Sequence, residues 1–233
     1  MTGGLTAKIY FGGYTQRVSE TKQQGPASML QAAGAGPRDP LCIRFINTLD
    51  WRNDAERRVE QLTAYSELVK WSRNQHLLSA EQAKALLALA GKQQRQAEQA
   101  LGRALSFREA LYRLFSAVAA RRAPSREDLQ MLSEMHAEAA PHLRLRLENE
   151  TGYGWEWASG DENLDRMLWP VARSAAELLT AGPLERLREC ERGGCGWLFV
   201  DTTRNRSRRW CAMKICGNRS KVERYYRRHR RED

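Results

Sequence analysis

The chain has 233 residues, of which 42% are hydrophobic and 28% charged, and a formal net charge of +10. This length fits one domain of ordinary size with a small appendage, or two compact domains. No apolar run approaches the roughly 18 residues of a membrane-spanning helix, and no basic-then-apolar leader opens the chain, so we expect a cytoplasmic protein with reduced cysteines and no membrane partner.

The first segment, residues 1–37, is rich in Gly, Ala, Gln and Ser, and we predict a disordered extension there. Residues 38–183 show the patterns of a mainly helical domain, which we call the body. The apolar run from Leu41 to Leu49 predicts a strand, or a strand turning into a helix. The next stretch predicts a helix of about 20 residues that ends near Trp71.

Two capping signals open later helices of the body. Ser79 stands three residues before Gln82, and Ser125 stands three residues before Asp128, as in helix N-caps. Between them, leucines at helical spacing predict one long helix over about residues 93–121.

A change to period-two alternation then predicts a β-hairpin. Three leucines precede a turn-forming cluster and three aromatic residues follow it: Leu143, Leu145, Leu147, Tyr153, Trp155 and Trp157. Residues 161–179 predict a helix kinked by Pro170, and a short helix should lead into Cys190. The predicted fold class is α+β: a mainly helical domain with a small β-hairpin, followed by a C-terminal module.

Four of the five cysteines lie within 27 residues, in two C-x4-C pairs separated by 15 residues: Cys190, Cys195, Cys211 and Cys216. In a reduced compartment such pairs indicate a metal site, and zinc binds four thiolates from two such loops. We predict one Zn²⁺, structural rather than catalytic because four thiolates fill its coordination shell. Four unrelated buried thiols, or one or two disulfides, are the alternatives.

The residues around these pairs predict a zinc-ribbon-like module over residues 188–231, which we call the finger. Trp197 to Val200 predicts a strand and Asp201 to Asn205 a turn. The expected order is therefore knuckle, strand, turn, strand and knuckle, where a knuckle is one of the two cysteine loops. A basic helix should follow from about Asn218.

The net charge is concentrated in the finger. The stretch from Cys190 to Asp233, which covers nearly all of the finger and the two residues after it, holds 13 Lys and Arg against 5 Asp and Glu, whereas the other 189 residues hold 25 against 23. A basic module on a nearly neutral body indicates a polyanionic partner. Arg predominates, and it contacts phosphates and guanine edges in bidentate fashion. The candidate contacts are Arg204, Arg206, Arg208, Arg209, Lys214, Arg219, Lys221, Arg224, Arg227 and Arg228.

We predict that this surface binds nucleic acid, with DNA ahead of RNA. Aromatic side chains that stack on unpaired bases would favour RNA instead. A basic tail that only aids solubility and a docking surface for an acidic protein are further alternatives.

The body holds one polar cluster in an otherwise apolar region: Asn47, Thr48, Asp50 and Arg52. These residues could line a ligand or catalytic site, or they could cap and brace a strand–helix junction. The chain shows no nucleophile elbow, phosphate-binding loop or dinucleotide fingerprint. We therefore expect that it is not an enzyme, and an enzyme anchored by its basic finger is the less favoured alternative.

The C-terminal residues resemble a known family. Residues 195–205 (CGWLFVDTTRN), 207–213 (SRRWCAM) and 216–219 (CGNR) are similar to the bacterial CGNR zinc finger. The body resembles the ABATE domain, through residues 41–52 (LCIRFINTLDWR), 168–170 (LWP) and 175–179 (AAELL). Arg44 departs from this pattern, because an acidic residue is expected there, and this body could differ in ligand or partner.

The resemblance implies a bacterial transcription regulator that responds to stress and lies on the nucleoid when bound to DNA. It implies that the four cysteines are the zinc ligands and that Asn218 and Arg219 matter. Asn218 could cap the final helix, and Arg219 could either brace Asp201 or contact phosphate. The body would then dimerise, bind a small-molecule effector, or do both.

Overall fold

The computed structural model of the protein describes residues 39–147, 152–158 and 163–229. The predicted extension over residues 1–37 lies outside the described residues. The α-helices are α1 (Leu41–Ile46), α2 (Tyr65–Asn74), α3 (Ala80–Lys92), α4 (Gln94–Ala119), α5 (Arg126–Ala139), α6 (Trp169–Ala181) and α7 (Asn218–His229). The strands are β1 (Leu49–Asp50), β2 (Val59–Glu60), β3 (Leu143–Leu147), β4 (Tyr153–Trp157), β5 (Leu187–Glu189) and β6 (Leu198–Val200).

The described residues are mostly helical, and their strands form three antiparallel two-stranded sheets, which confirms the predicted α+β class. Both capping signals are real. The Ser79 side chain accepts from the Gln82 N–H while the Gln82 side chain accepts from the Ser79 N–H, and Ser125 accepts from the Asp128 N–H. The long helix α4 has 26 residues and packs against α1, α2, α3 and α5, so it forms the spine of the body.

The prediction for residues 41–71 was partly wrong. Residues 41–46 form helix α1, because Cys42, Ile43, Phe45 and Ile46 are all buried and a short apolar run fits a buried helix as well as a strand. The expected helix of about 20 residues is also shorter. β2 pairs with β1, and α2 begins only at Tyr65.

Pro170 does not kink a helix. Helix α6 begins at Trp169, and Pro170 lies in its first turn, where a missing N–H loses no intrahelical hydrogen bond. A 3₁₀ turn over Arg166–Leu168 precedes it. The short helix expected before Cys190 is a single 3₁₀ turn, Leu184–Arg186, followed by β5.

The hairpin of β3 and β4 is confirmed, with Leu145 opposite Trp155. In the finger the strand order differs from the predicted ribbon. β6 pairs with β5, which precedes the first knuckle, and residues 201–212 form turns and irregular backbone rather than a strand. Between these two segments, the Glu191 N–H donates to the Arg209 carbonyl (3.0 Å), an isolated backbone bond and not part of a strand ladder.

Two buried clusters form the cores of the described residues. The larger lies between the helices of the body, and the smaller contains the four finger cysteines, Trp197 and Phe199. Trp51, from the loop between β1 and β2, belongs to the smaller cluster. No described helix is long and apolar enough to cross a membrane.

Candidate metal centre and basic surface

The four cysteine thiols of the finger converge on one point. Cys195 Sγ lies 3.7 Å from Cys211 Sγ and 3.7 Å from Cys216 Sγ, and the latter two are 3.5 Å apart. The potential ligand atoms of all four cysteines lie within 4.8 Å of one another, and all four residues are buried. Four sulfurs around zinc at about 2.3 Å would be about 3.8 Å apart, so this spacing fits one tetrahedral ion.

The local backbone explains how the chain brings the thiols together. Gly194 and Gly196 flank Cys195 with φ of 83° and 69°, a left-handed conformation that favours glycine. The Cys190 N–H donates to the Trp197 carbonyl (2.8 Å) and closes the first knuckle. A wide turn over Met213–Gly217 forms the second. The site is a four-thiolate structural zinc site, since four thiolates leave no open coordination position.

The body docks directly on the first knuckle. The Arg52 N–H donates to the Cys195 carbonyl and the Asn53 N–H donates to the Gly194 carbonyl, each at 3.2 Å. A Cβ on Gly194 would lie 2.9 Å from Asp54 Cβ, and a Cβ on Gly196 would lie 2.9 Å from Arg52 Cβ. Glycine is therefore needed at both positions to let the two backbones approach.

Strand β6 of the finger is also held by side chains of the body. Asn47 Nδ2 donates to the Leu198 carbonyl (2.8 Å), and Asn47 Oδ1 accepts from the Leu198 N–H (3.0 Å). Asp39 Oδ1 accepts from the Val200 N–H (3.0 Å). These side chains satisfy backbone groups on the edge of β6 that a neighbouring strand would otherwise pair.

The four residues of the predicted polar cluster lie at this junction and are buried. Besides Asn47, Thr48 Oγ1 donates to the Phe45 carbonyl (2.8 Å). Arg52 donates to the Ile46 carbonyl (2.9 Å) and forms an ion pair with Glu109. Thr48 and Arg52 thus bond carbonyls at the end of α1, and Asn47 bonds the finger; the ligand site and the bracing role that the sequence left open for this cluster both stay predictions.

Asp50 is the exception, because its carboxyl is incompletely satisfied. Oδ2 accepts from Gln61 Nε2 (2.8 Å), but Oδ1 is buried without a hydrogen bond. Burial raises the pKa of Asp50 from 3.8 to about 6, against the opposing effect of Gln61 and the nearby Trp197 indole N–H. The Trp197 indole N–H is buried and forms no hydrogen bond with a described residue.

Arg192 is a structural residue that the sequence did not single out. It is buried, donates to Glu223 on α7 (2.7 Å), and places its guanidinium 4.8 Å from the Trp51 ring centroid. It therefore joins the first knuckle, the body loop and the final helix. In the sequence it is one Arg among 13 basic residues, and only its burial distinguishes it.

The predicted nucleic-acid contacts whose side chains are described fall into two groups. Arg204, Lys214 and Lys221 are exposed and form no ion pair with a described residue. Others are engaged within the protein, although still partly exposed. Arg206 lies 3.8 Å from Glu185, and Arg209 pairs with Glu191 (2.6 Å).

Arg208 braces the finger. Its guanidinium donates to the Trp210 carbonyl (3.0 Å) and to the Cys211 carbonyl, and lies over the Phe199 ring at 4.3 Å. Arg224, Arg227 and Arg228 lie on α7, and their side chains are outside the described part of the chain.

The structure separates the roles proposed for Asn218 and Arg219. Asn218 Nδ2 donates to the Lys214 carbonyl (3.3 Å), so its side chain bonds the preceding wide turn instead of an N–H of α7. Arg219 is exposed and lies 5.9 Å from the Trp51 ring centroid. Asp201 is held by Thr203 and by the Arg208 N–H instead. Burial acts to raise the Asp201 pKa, but these hydrogen bonds outweigh it and lower that pKa.

Comparison with known families matches the chain in two parts. Residues 39–182 match the ABATE family, described as "Putative stress-induced transcription regulator", and residues 186–229 match the CGNR zinc finger. The first match alone covers more than half of the chain. The chain belongs to the ABATE family. A search of curated proteins found no match.

In this ABATE protein both matched regions contribute residues that surround the metal centre. Asn47 and Trp51 come from the ABATE region, and Leu198 comes from the CGNR finger. The finger is therefore packed on the body through specific backbone and side-chain contacts.

Proposed function

We propose that this protein is a zinc-dependent DNA-binding transcription regulator of the bacterial cytoplasm that lies on the nucleoid when bound. The observation that carries the proposal is a four-thiolate metal site that supports exposed cations without ionic partners among the described residues, Arg204, Lys214 and Lys221. Fixed, unpaired cations gain most from a polyanion, because binding releases its condensed counterions.

The burial of Trp197 and the partial burial of Trp210 in the finger favour duplex DNA over single-stranded RNA. Trp197 is 1% exposed, and Trp210 packs against the cysteine cluster. Trp197 therefore offers no face on which an unpaired base could stack, and the Arg209 guanidinium lies 5.3 Å from the ring centroid of the half-buried Trp210. Among the aromatic side chains of the finger that the structure describes, Tyr225 on α7 is 59% exposed and would support the RNA alternative.

We propose that the body supplies regulation, by binding a small-molecule effector, by forming a homodimer, or by both. The junction supports such a role, since the body and the first knuckle share hydrogen bonds through Arg52 and Asn53. We propose no catalytic role, because the polar cluster Asn47, Thr48, Asp50 and Arg52 is buried and engaged in structural contacts.

The test is a titration of a labelled duplex with zinc-loaded protein over a range of salt concentrations. Lys214→Gln/Lys221→Gln removes two exposed cations of the finger, and Lys84→Gln/Lys92→Gln removes two exposed cations of α3 as a charge-matched control. We expect the finger variant to bind roughly tenfold more weakly and to lower the salt slope by up to about 1.8, at about 0.9 per phosphate contact. The control should bind like the wild type.

Three results would change the conclusion. Equal effects of both double variants would mean that only net charge matters. Preference for single-stranded RNA over duplex DNA in competition would favour the RNA alternative. If zinc-loaded protein binds neither duplex DNA nor single-stranded RNA, the basic surface would be assigned to an acidic protein partner.

A further inference from the structure

The β3–β4 hairpin has one entirely apolar face. Cross-strand partners in an antiparallel pair point to the same side, and side chains alternate along each strand. The register pairs Leu143 with Trp157, Leu145 with Trp155 and Leu147 with Tyr153. All six of these side chains therefore lie on one face of the hairpin.

Described residues of the body contact this face at Trp157 and, more loosely, at Trp155. The Trp157 ring centroid lies 6.0 Å from that of Trp169, and the Arg173 guanidinium lies 5.0 Å from the Trp155 ring centroid. Farther along the hairpin the side chains are exposed: Leu145 by 67%, Leu147 by 59%, Tyr153 by 77% and Trp155 by 54%. We call these four residues the hairpin patch.

The opposite face of the hairpin is polar. It carries Arg144, Arg146 and Glu156, and Arg146 Nε lies 3.5 Å from Glu156 Oε2. The charged side chains on this face are well hydrated, whereas the apolar side chains of the hairpin patch are not. An isolated two-stranded sheet is at best marginally stable in water, and it is stabilised when its apolar face packs against another layer.

We propose that the hairpin patch is a homodimer interface, in which it packs on the same patch of a second copy of the chain. Burying these four side chains would remove roughly 500 Å² per copy, or about 1,000 Å² in total, which meets the lower limit of about 1,000 Å² for a biological interface. Two such sheets stacked about 10 Å apart would form a small four-stranded sandwich.

The pattern of the hairpin patch is suited to two-fold symmetry. β3 contributes leucines and β4 contributes aromatic residues. A two-fold axis that crosses the strands within the interface keeps the two bodies at opposite ends, and it places Leu145 of one copy over Leu147 of the other and Trp155 over Tyr153. A homodimer must bury the same patch on both copies, and here leucine packs on leucine and aromatic ring on aromatic ring, so the patch is complementary to itself.

The hairpin patch would be the interface of the homodimer named in the proposed function. Dimerisation through this patch does not require nucleic acid. The experiment therefore uses full-length, zinc-loaded protein without nucleic acid. Sedimentation equilibrium from about 1 to 100 µM measures the dissociation constant of a species with twice the 26.7 kDa chain mass.

The test variant is Leu145→Thr/Tyr153→Thr, which keeps strand-forming residues in the hairpin while removing two exposed apolar side chains. We expect its dimer dissociation constant to rise at least tenfold. Leu87→Gln/Leu129→Gln removes apolar side chains of 44% and 45% exposure on α3 and α5, and it should leave the constant unchanged. Arg144→Thr/Glu156→Thr alters the polar face of the same hairpin and should also leave it unchanged.

Circular dichroism of each variant checks that the fold is kept, and the single change Leu147→Thr replaces the double variant if that one unfolds. A wild-type chain that stays monomeric up to about 100 µM would overturn the proposal, and it would assign the patch to another segment of the chain or to a different partner. A dimer that survives the patch variants but dissociates in the Leu87/Leu129 variant would also overturn it.

Discussion

Trp51 is the residue through which the body enters the metal centre. It is 1% exposed and packs with the four cysteines. Its φ of 53° is left-handed, which costs a bulky residue roughly 1–2 kcal/mol. The guanidiniums of Arg192 and Arg219 lie 4.8 and 5.9 Å from its ring centroid. Packing and cation–π contacts must therefore outweigh the backbone strain.

Trp51→Ala should destabilise the protein by about 3–5 kcal/mol, because it removes a large buried ring. It should also speed the transfer of zinc to a chromogenic chelator, since the ring packs against the cysteine cluster. Trp51→Phe retains an aromatic ring and serves as the control. Urea unfolding and the chelator absorbance measure the two effects. Zinc release at the wild-type rate in the Ala variant would show that the metal centre does not depend on Trp51.

The charge state of Asp50 should give the protein a measurable pH dependence. Burial raises its pKa to about 6 in the folded state, so between about pH 4 and 6 the folded chain binds more protons than the unfolded chain. The contribution of Asp50 to stability is thus greatest below its unfolded pKa. It falls as the pH rises through about 6, where the folded protein must hold a buried charge.

Asp50→Asn should therefore stabilise the protein at pH 7.5, by about 1–2 kcal/mol, because it removes that buried charge. Gln61 can turn its amide to accept from the new side chain. The gain should vanish near pH 4, where the wild-type carboxyl is already neutral. Urea unfolding of both proteins at the two pH values measures this difference. A gain that is equal at both pH values would mean that the charge of Asp50 is not its cause.

At the scale of elements, β6 depends on the body for the hydrogen bonds of its outer edge. Asn47→Ala should cost roughly 2–4 kcal/mol, because it leaves the buried N–H and carbonyl of Leu198 without partners. The matched control is Asn53→Ala. Its exposed side chain makes contacts of 3.5 Å only, so it should cost less than about 0.5 kcal/mol. Equal unfolding midpoints for the two variants would refute this role of Asn47.

The elements that the sequence predicts well are those set by neighbouring residues. The Ser79 and Ser125 caps, the long helix α4 and the β3–β4 hairpin depend on local capping and periodicity, and the structure has them all. The cysteine spacing likewise predicts the metal site. The finger contacts of Asn47 could not be predicted, because its partner Leu198 lies 151 residues away.

The same reason explains the missed elements. Where a helix was expected, the chain instead turns back between β1 and β2, and Trp51 in that loop has a left-handed backbone and packs in the core of the finger. β6 pairs with β5 and is bonded by the body on its other side, so no strand after the turn is needed to complete it. Local patterns carry no information about such partners.

At the scale of the whole molecule, these contacts indicate that the finger and the body unfold as one cooperative unit. The finger is too small to supply a sufficient core of its own, and metal binding in such modules contributes much of the folding free energy. Arg52 and Asn53 of the body donate to carbonyls of the first knuckle. The order of that loop should therefore depend on zinc.

Removing zinc with a strong chelator should consequently loosen the body as well as the finger. We expect faster hydrogen exchange at Arg52 and Asn53, while amides in the centre of α4 remain protected because helix α4 packs within the main core. A thiol reagent should then label the four finger cysteines but not Cys42, since burial raises its pKa to about 12. Unchanged exchange at Arg52 and Asn53 after complete zinc loss would show that the body loop is ordered independently of the metal. The bonds from Asn47 and Asp39 to Leu198 and Val200 of β6 would then be zinc-independent contacts between the body and the finger.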